Sequence, residues 1–156
     1  MGWTLVTLGY YFNDSQCDKT LFGYNTHGHC SVNGWAGTNN EPIYTLSCKL
    51  AWFIYDNYSI KGERVQLVGH SMGGLIIRGA LTLQEEQNNL DFPPYLMVQD
   101  VVTFASPLAG ITGPQSSALR AICGDCSQAL DMLDSGNFVQ HLLHSPYADK
   151  CGIIRQ

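Results

Sequence analysis

One short segment limits the fold of this chain more than any other: the six residues 69–74, GHSMGG. An apolar run typical of a β-strand precedes it, and residues 73–84 follow with apolar side chains at helical spacing. Gly-x-Ser-x-Gly in this setting predicts a strained turn from strand to helix that exposes Ser71. We expect Gly69 and Gly73 to let the strand and the helix pack closely. The alternative is a glycine-rich turn whose serine only caps the helix.

The rest of the chain alternates between strand-like and helical patterns. Strands that alternate with helices at this spacing predict the α/β class, with a parallel β-sheet flanked by helices. Residues 12–40 lack periodicity and predict a long loop. The predicted strands are residues 4–11, 64–69 and 98–105, and the predicted helices are residues 42–61, 73–84, 117–122 and 127–143, the last interrupted at 135–137.

Length and charge exclude several classes of function. The chain has 156 residues, of which 45% are hydrophobic and 13% charged, a composition typical of one globular domain spanning residues 1–156. Its formal net charge of −5 offers no positive surface to a phosphate backbone, which argues against nucleic-acid binding. The longest apolar stretches, such as residues 50–55, are far shorter than the roughly 20 residues of a membrane-spanning helix. We therefore predict no transmembrane segment.

The chain contains six cysteines, more than a reducing compartment usually leaves in a chain of this length. We therefore expect a secreted protein with disulfides, although the sequence does not fix their pairing. A bond between Cys17 and Cys30 would staple the long loop. The spacing of Cys123 and Cys126 favours a short-loop disulfide over a redox or zinc site.

From residue 50 to residue 110 the chain resembles the lipase and esterase branch of the α/β-hydrolase superfamily. Three segments carry the resemblance: GHSMGG at 69–74, the helix that continues LIIR at 75–78, and DVVTFASPLAG at 100–110. Many such lipases have Ser-Pro-His-x-Gly in the last segment, where this chain has Leu108 in place of the histidine. The resemblance implies an incomplete α/β-hydrolase fold. We expect one domain that lacks the N-terminal strand with its oxyanion loop and the C-terminal strands with the catalytic acid and histidine.

The resemblance implies a serine ester hydrolase in which Ser71 attacks an acyl carbonyl and water then hydrolyses the acyl-enzyme. The backbone N–H of Met72 would donate to the oxyanion, and the dipole of the following helix favours negative charge there. The substrate would be an acyl ester or lipid of unspecified chain length. The chemistry needs no cofactor and no metal. Acyl transfer to another alcohol would use the same acyl-enzyme, so the sequence does not separate it from hydrolysis.

The superfamily order of a catalytic triad is serine, then acid, then histidine, and residues of this chain satisfy that order. Asp131 or Asp134 could supply the acid, and His141 or His144 the base. Of these, our candidates are Asp134 for the acid and His141 for the base. The alternative is that these side chains lie on exposed helix faces. We expect His70, inside the turn, to pack beside the sheet.

Two further polar positions have competing interpretations. The segment HGHC at 27–30 contains imidazole and thiolate groups suited to zinc, but no second pair completes a four-ligand set. We expect Arg78 to pair with a carboxylate or to donate to a backbone carbonyl, and not to bind substrate.

A second hypothesis belongs to another functional class: a truncated or degenerate hydrolase-like domain that performs no chemistry and acts as a binding or interaction module. A sheet without its flanking strands would expose unpaired edges and apolar surface. We therefore expect self-association through the sheet edges.

Overall fold

Five helices and two small parallel sheets make up the structure, a computed structural model that describes residues 2–30, 36–86 and 89–145. This mixture confirms the predicted α/β composition. The strands are β1 (Leu8–Gly9), β2 (Lys19–Thr20), β3 (Val65–His70) and β4 (Val98–Phe104), and the helices are α1 (Ile43–Asn57), α2 (Met72–Glu85), α3 (Gly113–Cys123), α4 (Ser127–Met132) and α5 (Asn137–His144), with a 3₁₀ turn at Ser59–Lys61.

The elements on either side of Ser71 are organised by the parallel pair β3 and β4, which α2 connects. Their register pairs Leu67 with Val101 and His70 with Phe104, so both strands end at the same edge. The backbone N–H of Ser71 donates to the Phe104 carbonyl at 2.9 Å and extends this pairing by one residue. Residues that follow the two strands are thereby brought together.

The predicted strand at 4–11 is wrong in length and in placement. Within this range only Leu8–Gly9 forms a paired strand, and it pairs with β2 in a separate sheet and not with β3. Carboxylates take the neighbouring backbone donors: Asp18 accepts from the Thr7 N–H, and Asp14 accepts from the N–H groups of Tyr10 and Tyr11, each at 2.8 Å. Those bonds replace the ladder that a longer strand would have formed.

The core lies between α1 and α2. Gly79 permits this close approach, because a Cβ atom there would overlap the Ser47 hydroxyl and lie 2.8 Å from the Phe138 ring. Helix α2 thus has one face fixed against α1 while its start faces solvent at Ser71. The side chains from these two helices that are almost fully buried include Ile43, Leu46, Cys48, Ala51, Ile54, Leu75, Ile76, Ala80 and Leu83.

The face of the β3–β4 sheet that bears Val68, Val102 and Phe104 is exposed and partly apolar. Val68 and Val102, which are in register, are 66% and 47% exposed, and Phe104 is 56% exposed. Self-association through this sheet stays a prediction. Among the described residues, no helix has the length and apolar character needed to cross a membrane.

The disulfide pattern corrects one expectation and confirms another. Cys30 pairs with Cys48, and Cys17 has no disulfide partner among the described residues, so the predicted Cys17–Cys30 bond is wrong. The observed bond ties the end of the first loop segment to α1, a long-range contact that local spacing does not reveal. The Cys123–Cys126 bond is present as predicted. Cys151 lies outside the described residues.

Replacing Cys30 and Cys48 together by alanine should lower the free energy of unfolding by about 3 kcal/mol. The two residues are 18 positions apart, so their bond restricts the unfolded chain more than the Cys123–Cys126 bond, whose partners are 3 apart. Urea denaturation of both double variants measures the difference. A larger loss in the Cys123→Ala/Cys126→Ala control would contradict this reasoning.

Candidate active site around Ser71

Ser71 lies at the junction of β3 and α2 in a backbone conformation that residues other than glycine rarely adopt. Its φ is 52° and its ψ is −127°, and it occupies the N-cap position of α2 without any side-chain capping hydrogen bond. Residues held in such strained conformations cluster at functional sites. The helix-capping interpretation of this serine is therefore wrong, because its exposed hydroxyl does not serve the helix.

Of the two glycines expected to permit close packing at the turn, the structure supports Gly69 but not Gly73. A Cβ atom on Gly69 would lie 2.7 Å from the Gly74 backbone nitrogen, and one on Gly74 would lie 2.6 Å from the Ser106 Cβ. A Cβ atom on Gly73 would meet nothing within 4 Å. Close packing thus requires Gly69 and Gly74, and the expectation for Gly73 is corrected.

Gly69→Ala should lower the free energy of unfolding by about 1–3 kcal/mol, because backbone atoms of the turn must shift to accommodate the methyl group. Gly73→Ala is the matched control. It lies in the first turn of α2 with open space around it, so alanine should be neutral or stabilising by up to about 1 kcal/mol. Thermal denaturation of the two variants measures both effects. Equal losses would show that steric contact does not explain the glycine at 69.

Ser71 opens into a shallow cavity of about 370 Å³, widely open to solvent, at the ends of β3 and β4. Ala105, which follows β4, also has a positive φ, 47°, so two strained residues face the same space. The lining combines apolar side chains with hydroxyl groups, a surface suited to an acyl group beside a polar reaction centre. It consists of Ser71, Ala105, Ser106, Pro107, Gly110, Ile111, Thr112 and Gln115. Ile111, Thr112 and Gln115 were not predicted as site residues; the glycines at 110 and 113 were the available signal of a loop there.

The predicted oxyanion donor, the backbone N–H of Met72, lies at the start of α2, next to Ser71 in the chain. Met72 is the first residue of the helix, and the N–H groups of a first helical turn have no acceptor within the helix. The Met72 side chain is buried in the core, which fixes its backbone. No acidic side chain stands in the first turn, so the positive end of the helix dipole is not neutralised there.

The structure does not bring a histidine to Ser71. All five histidines lie in the described part of the chain, and no hydrogen bond joins any of them to Ser71. His141 Nε2 lies 2.9 Å and 3.1 Å from the two carboxylate oxygens of Glu86. His144 Nδ1 lies 2.8 Å from the Gln140 carbonyl oxygen, and His70 is exposed in register with Phe104.

The two candidate acids also have other partners. The Asp131 carboxylate accepts a 2.8 Å hydrogen bond from the Ile43 N–H and so caps the start of α1, while burial raises its pKa. Asp134 packs its backbone against Gly110, where a Cβ atom would lie 2.5 Å from the Asp134 nitrogen. Its N–H donates to the Ile111 carbonyl at 3.3 Å. Asp134 therefore supports the cavity wall and is not bonded to His141.

The segment at 27–30 forms a cluster that differs from a zinc site. His27 Nε2 lies 3.0 Å from the Asp56 carboxylate, the His29 ring stacks on Trp52 with centroids 4.9 Å apart, and Cys30 is in a disulfide. The thiolate is thus not available as a ligand. Within residues 2–30, 36–86 and 89–145, no group of three His, Cys, Asp or Glu side chains is placed to hold a metal ion.

A family model matches the part of the chain that contains Ser71. Residues 37–136 match the family described as Putative serine esterase (DUF676). The chain belongs to the DUF676 family. The match spans the turn at Ser71, helix α2, strand β4 and the cavity wall, and it ends before α5. No curated protein and no solved structure matches the chain. Membership in DUF676 supports a hydrolase in general.

Proposed function

We propose that this DUF676 chain is a carboxylic ester hydrolase of lipase or esterase type with Ser71 as its nucleophile. One observation carries the proposal: the Ser71 hydroxyl is held on a strained turn at a helix N-terminus, makes no capping bond and opens into the cavity. The family match is an independent support.

In the proposed reaction, the Ser71 oxygen bonds to the acyl carbon and the carbonyl becomes an oxyanion at the Met72 N–H. A base accepts the serine proton and returns it to the alcohol that leaves. Water then attacks the acyl-enzyme and releases the carboxylic acid, which restores Ser71. An oxyanion donor of this kind contributes about 3 kcal/mol in the transition state.

The order Ser71, Asp134, His141 is our proposal for a triad within the chain. His141 would have to leave Glu86 in order to reach Ser71. The His141→Ala variant tests this step through the rate of Ser71 acylation or phosphonylation. Loss of the reaction would assign the base, whereas an unchanged rate would remove His141 from the mechanism.

A second candidate function is a DUF676 domain that binds an acyl ligand or a partner without chemistry. The specific observation that favours it is the absence of any histidine bonded to Ser71 in the described residues. The two candidates differ in one property: an esterase has an activated Ser71, and a binding module does not.

Covalent labelling with a fluorophosphonate, read by intact mass, separates the candidates. An esterase should gain one phosphonyl group in the wild type and in Ser106→Ala, the matched control on the same cavity, but not in Ser71→Ala. Absence of labelling in folded wild-type protein would contradict the esterase and support the binding module.

We propose acyl esters, lipids included, as the substrate class, because the wall of the cavity combines Ala105, Pro107 and Ile111 with hydroxyl groups. We also propose that the protein is secreted, and the two disulfides are compatible with that location.

A further inference from the structure

Arg78 is a buried cation that connects the helix of the nucleophile to the wall of the cavity. It lies on α2, seven residues after Ser71, and is only 5% exposed. Its Nη1 donates to the Leu108 carbonyl, and its Nη2 donates to the Leu142 carbonyl at 3.1 Å. The expectation that Arg78 donates to a carbonyl is confirmed. The Leu108 carbonyl belongs to the loop that forms the cavity wall, so this bond joins α2 to that wall.

Leu108 stands in the middle of the loop 105–112, and every other residue of this loop except Ala109 lines the cavity. Its ends are held elsewhere: Ser106 packs on Gly74, and Ile111 exchanges backbone hydrogen bonds with the segment 132–134. The bond from Arg78 fixes the segment between these two anchors. The planar guanidinium group suits this task because its fixed fork of donors can bind two carbonyls at once.

Gly74 and Arg78 are four residues apart, so they lie on one face of α2 and meet the same loop at two points. Ser71 is the N-cap residue of this helix. One rigid element therefore sets the distance between the nucleophile and the cavity wall. We propose that Arg78 is a positioning residue for acylation of Ser71, which it serves through the loop 105–112 and without contact to substrate. This inference rests on the proposed function.

The Arg78→Met and Arg78→Lys variants test this inference. Misplacement of a site by a distant substitution can cost about 100-fold in rate, so we expect the second-order rate of fluorophosphonate labelling in Arg78→Met to fall about 10- to 100-fold. Arg78→Lys should lie between Arg78→Met and the wild type, since an ammonium group can reach one carbonyl but not both. Circular dichroism at the assay temperature ensures that folded proteins are compared.

Two controls separate positioning from general loss of stability. Arg120→Met removes an exposed arginine that pairs with Asp125 and should keep the wild-type labelling rate. Cys30→Ala/Cys48→Ala lowers stability at a site outside the cavity and should also keep it. Hydrogen exchange of the backbone amides in residues 105–112 gives a readout independent of chemistry, and it should be faster in Arg78→Met than in the wild type.

The outcomes distinguish this inference from the proposed function. Labelling of Arg78→Met at the wild-type rate, or unchanged exchange in residues 105–112, overturns the positioning role. Failure of the wild type to label overturns the esterase, and with it any role of Arg78 in acylation, even where exchange shows that Arg78 holds the loop.

Discussion

Ser71→Ala should lower the rate of ester hydrolysis by about 10⁴- to 10⁶-fold, the range expected when the nucleophile of a serine hydrolase is removed. The fold should be almost unaffected. The hydroxyl makes no capping bond, the side chain is exposed, and alanine occupies the same backbone conformation as serine with a similar strain. We expect the free energy of unfolding to change by less than about 0.5 kcal/mol.

Initial rates on a p-nitrophenyl ester, together with thermal denaturation, measure both quantities. Ser106→Ala is the appropriate control because Ser106 lines the same cavity and its hydroxyl contacts the Phe104 carbonyl at 3.2 Å. Retention of most of the activity in Ser71→Ala would assign the reaction to another residue. A loss caused by unfolding would be visible in the melting curve.

Lys49→Met should lower the free energy of unfolding by about 3–5 kcal/mol, the cost of leaving one member of a buried ion pair without its partner. Lys49 and Glu41 are each 1% exposed, and the Lys49 ammonium group donates to the Glu41 carboxylate. The other oxygen of that carboxylate accepts a 2.6 Å bond from the Gly37 N–H. Without Lys49, the negative charge remains in the interior, and the Gly37 N–H is its one remaining donor among the described residues.

Urea denaturation measures this loss, and two variants serve as controls. Lys61→Met removes an exposed lysine and should change stability by less than about 0.5 kcal/mol. Adding Glu41→Gln to Lys49→Met removes the uncompensated charge and keeps an acceptor for Gly37, so part of the stability should return. A double variant as unstable as Lys49→Met alone would show that packing, and not charge, explains the loss.

The elements around Ser71 were predictable because their signals are local. Helix α2 was expected at 73–84 and spans Met72–Glu85, and β4 was expected at 98–105 and spans Val98–Phe104. Apolar spacing and the glycines at the turn determine both. The long helix expected at 42–61 is divided in the structure, since α1 ends at Asn57 and a 3₁₀ turn follows at Ser59–Lys61.

Features that depend on distant parts of the chain were not predictable in the same way. The partner of Cys30 is chosen by the packing of α1, and the strand at 4–11 is shortened by carboxylates from the following loop. The Glu86 carboxylate that binds His141 is 55 residues away in sequence. The burial of Lys49 could not be predicted from the sequence either, because lysine is usually exposed and is almost never fully buried without a partner.

The start of α2 links the heat stability of the protein to its reaction. In the resting protein its first N–H groups have neither a capping side chain nor an acidic neighbour. A phosphonyl group on Ser71 would place an oxygen beside the Met72 N–H and supply the missing acceptor. A hydrogen bond to the neutral phosphoryl oxygen contributes about 0.5–1.5 kcal/mol, so the labelled protein should melt about 1–6 °C above the unlabelled protein in calorimetry.

An unchanged melting temperature in the labelled protein would mean that the Met72 N–H does not meet the adduct. A rise would show that the helix is completed only while the reaction intermediate is in place. The intermediate would then act as a temporary structural part of this protein, and each turnover would add and remove a helix cap.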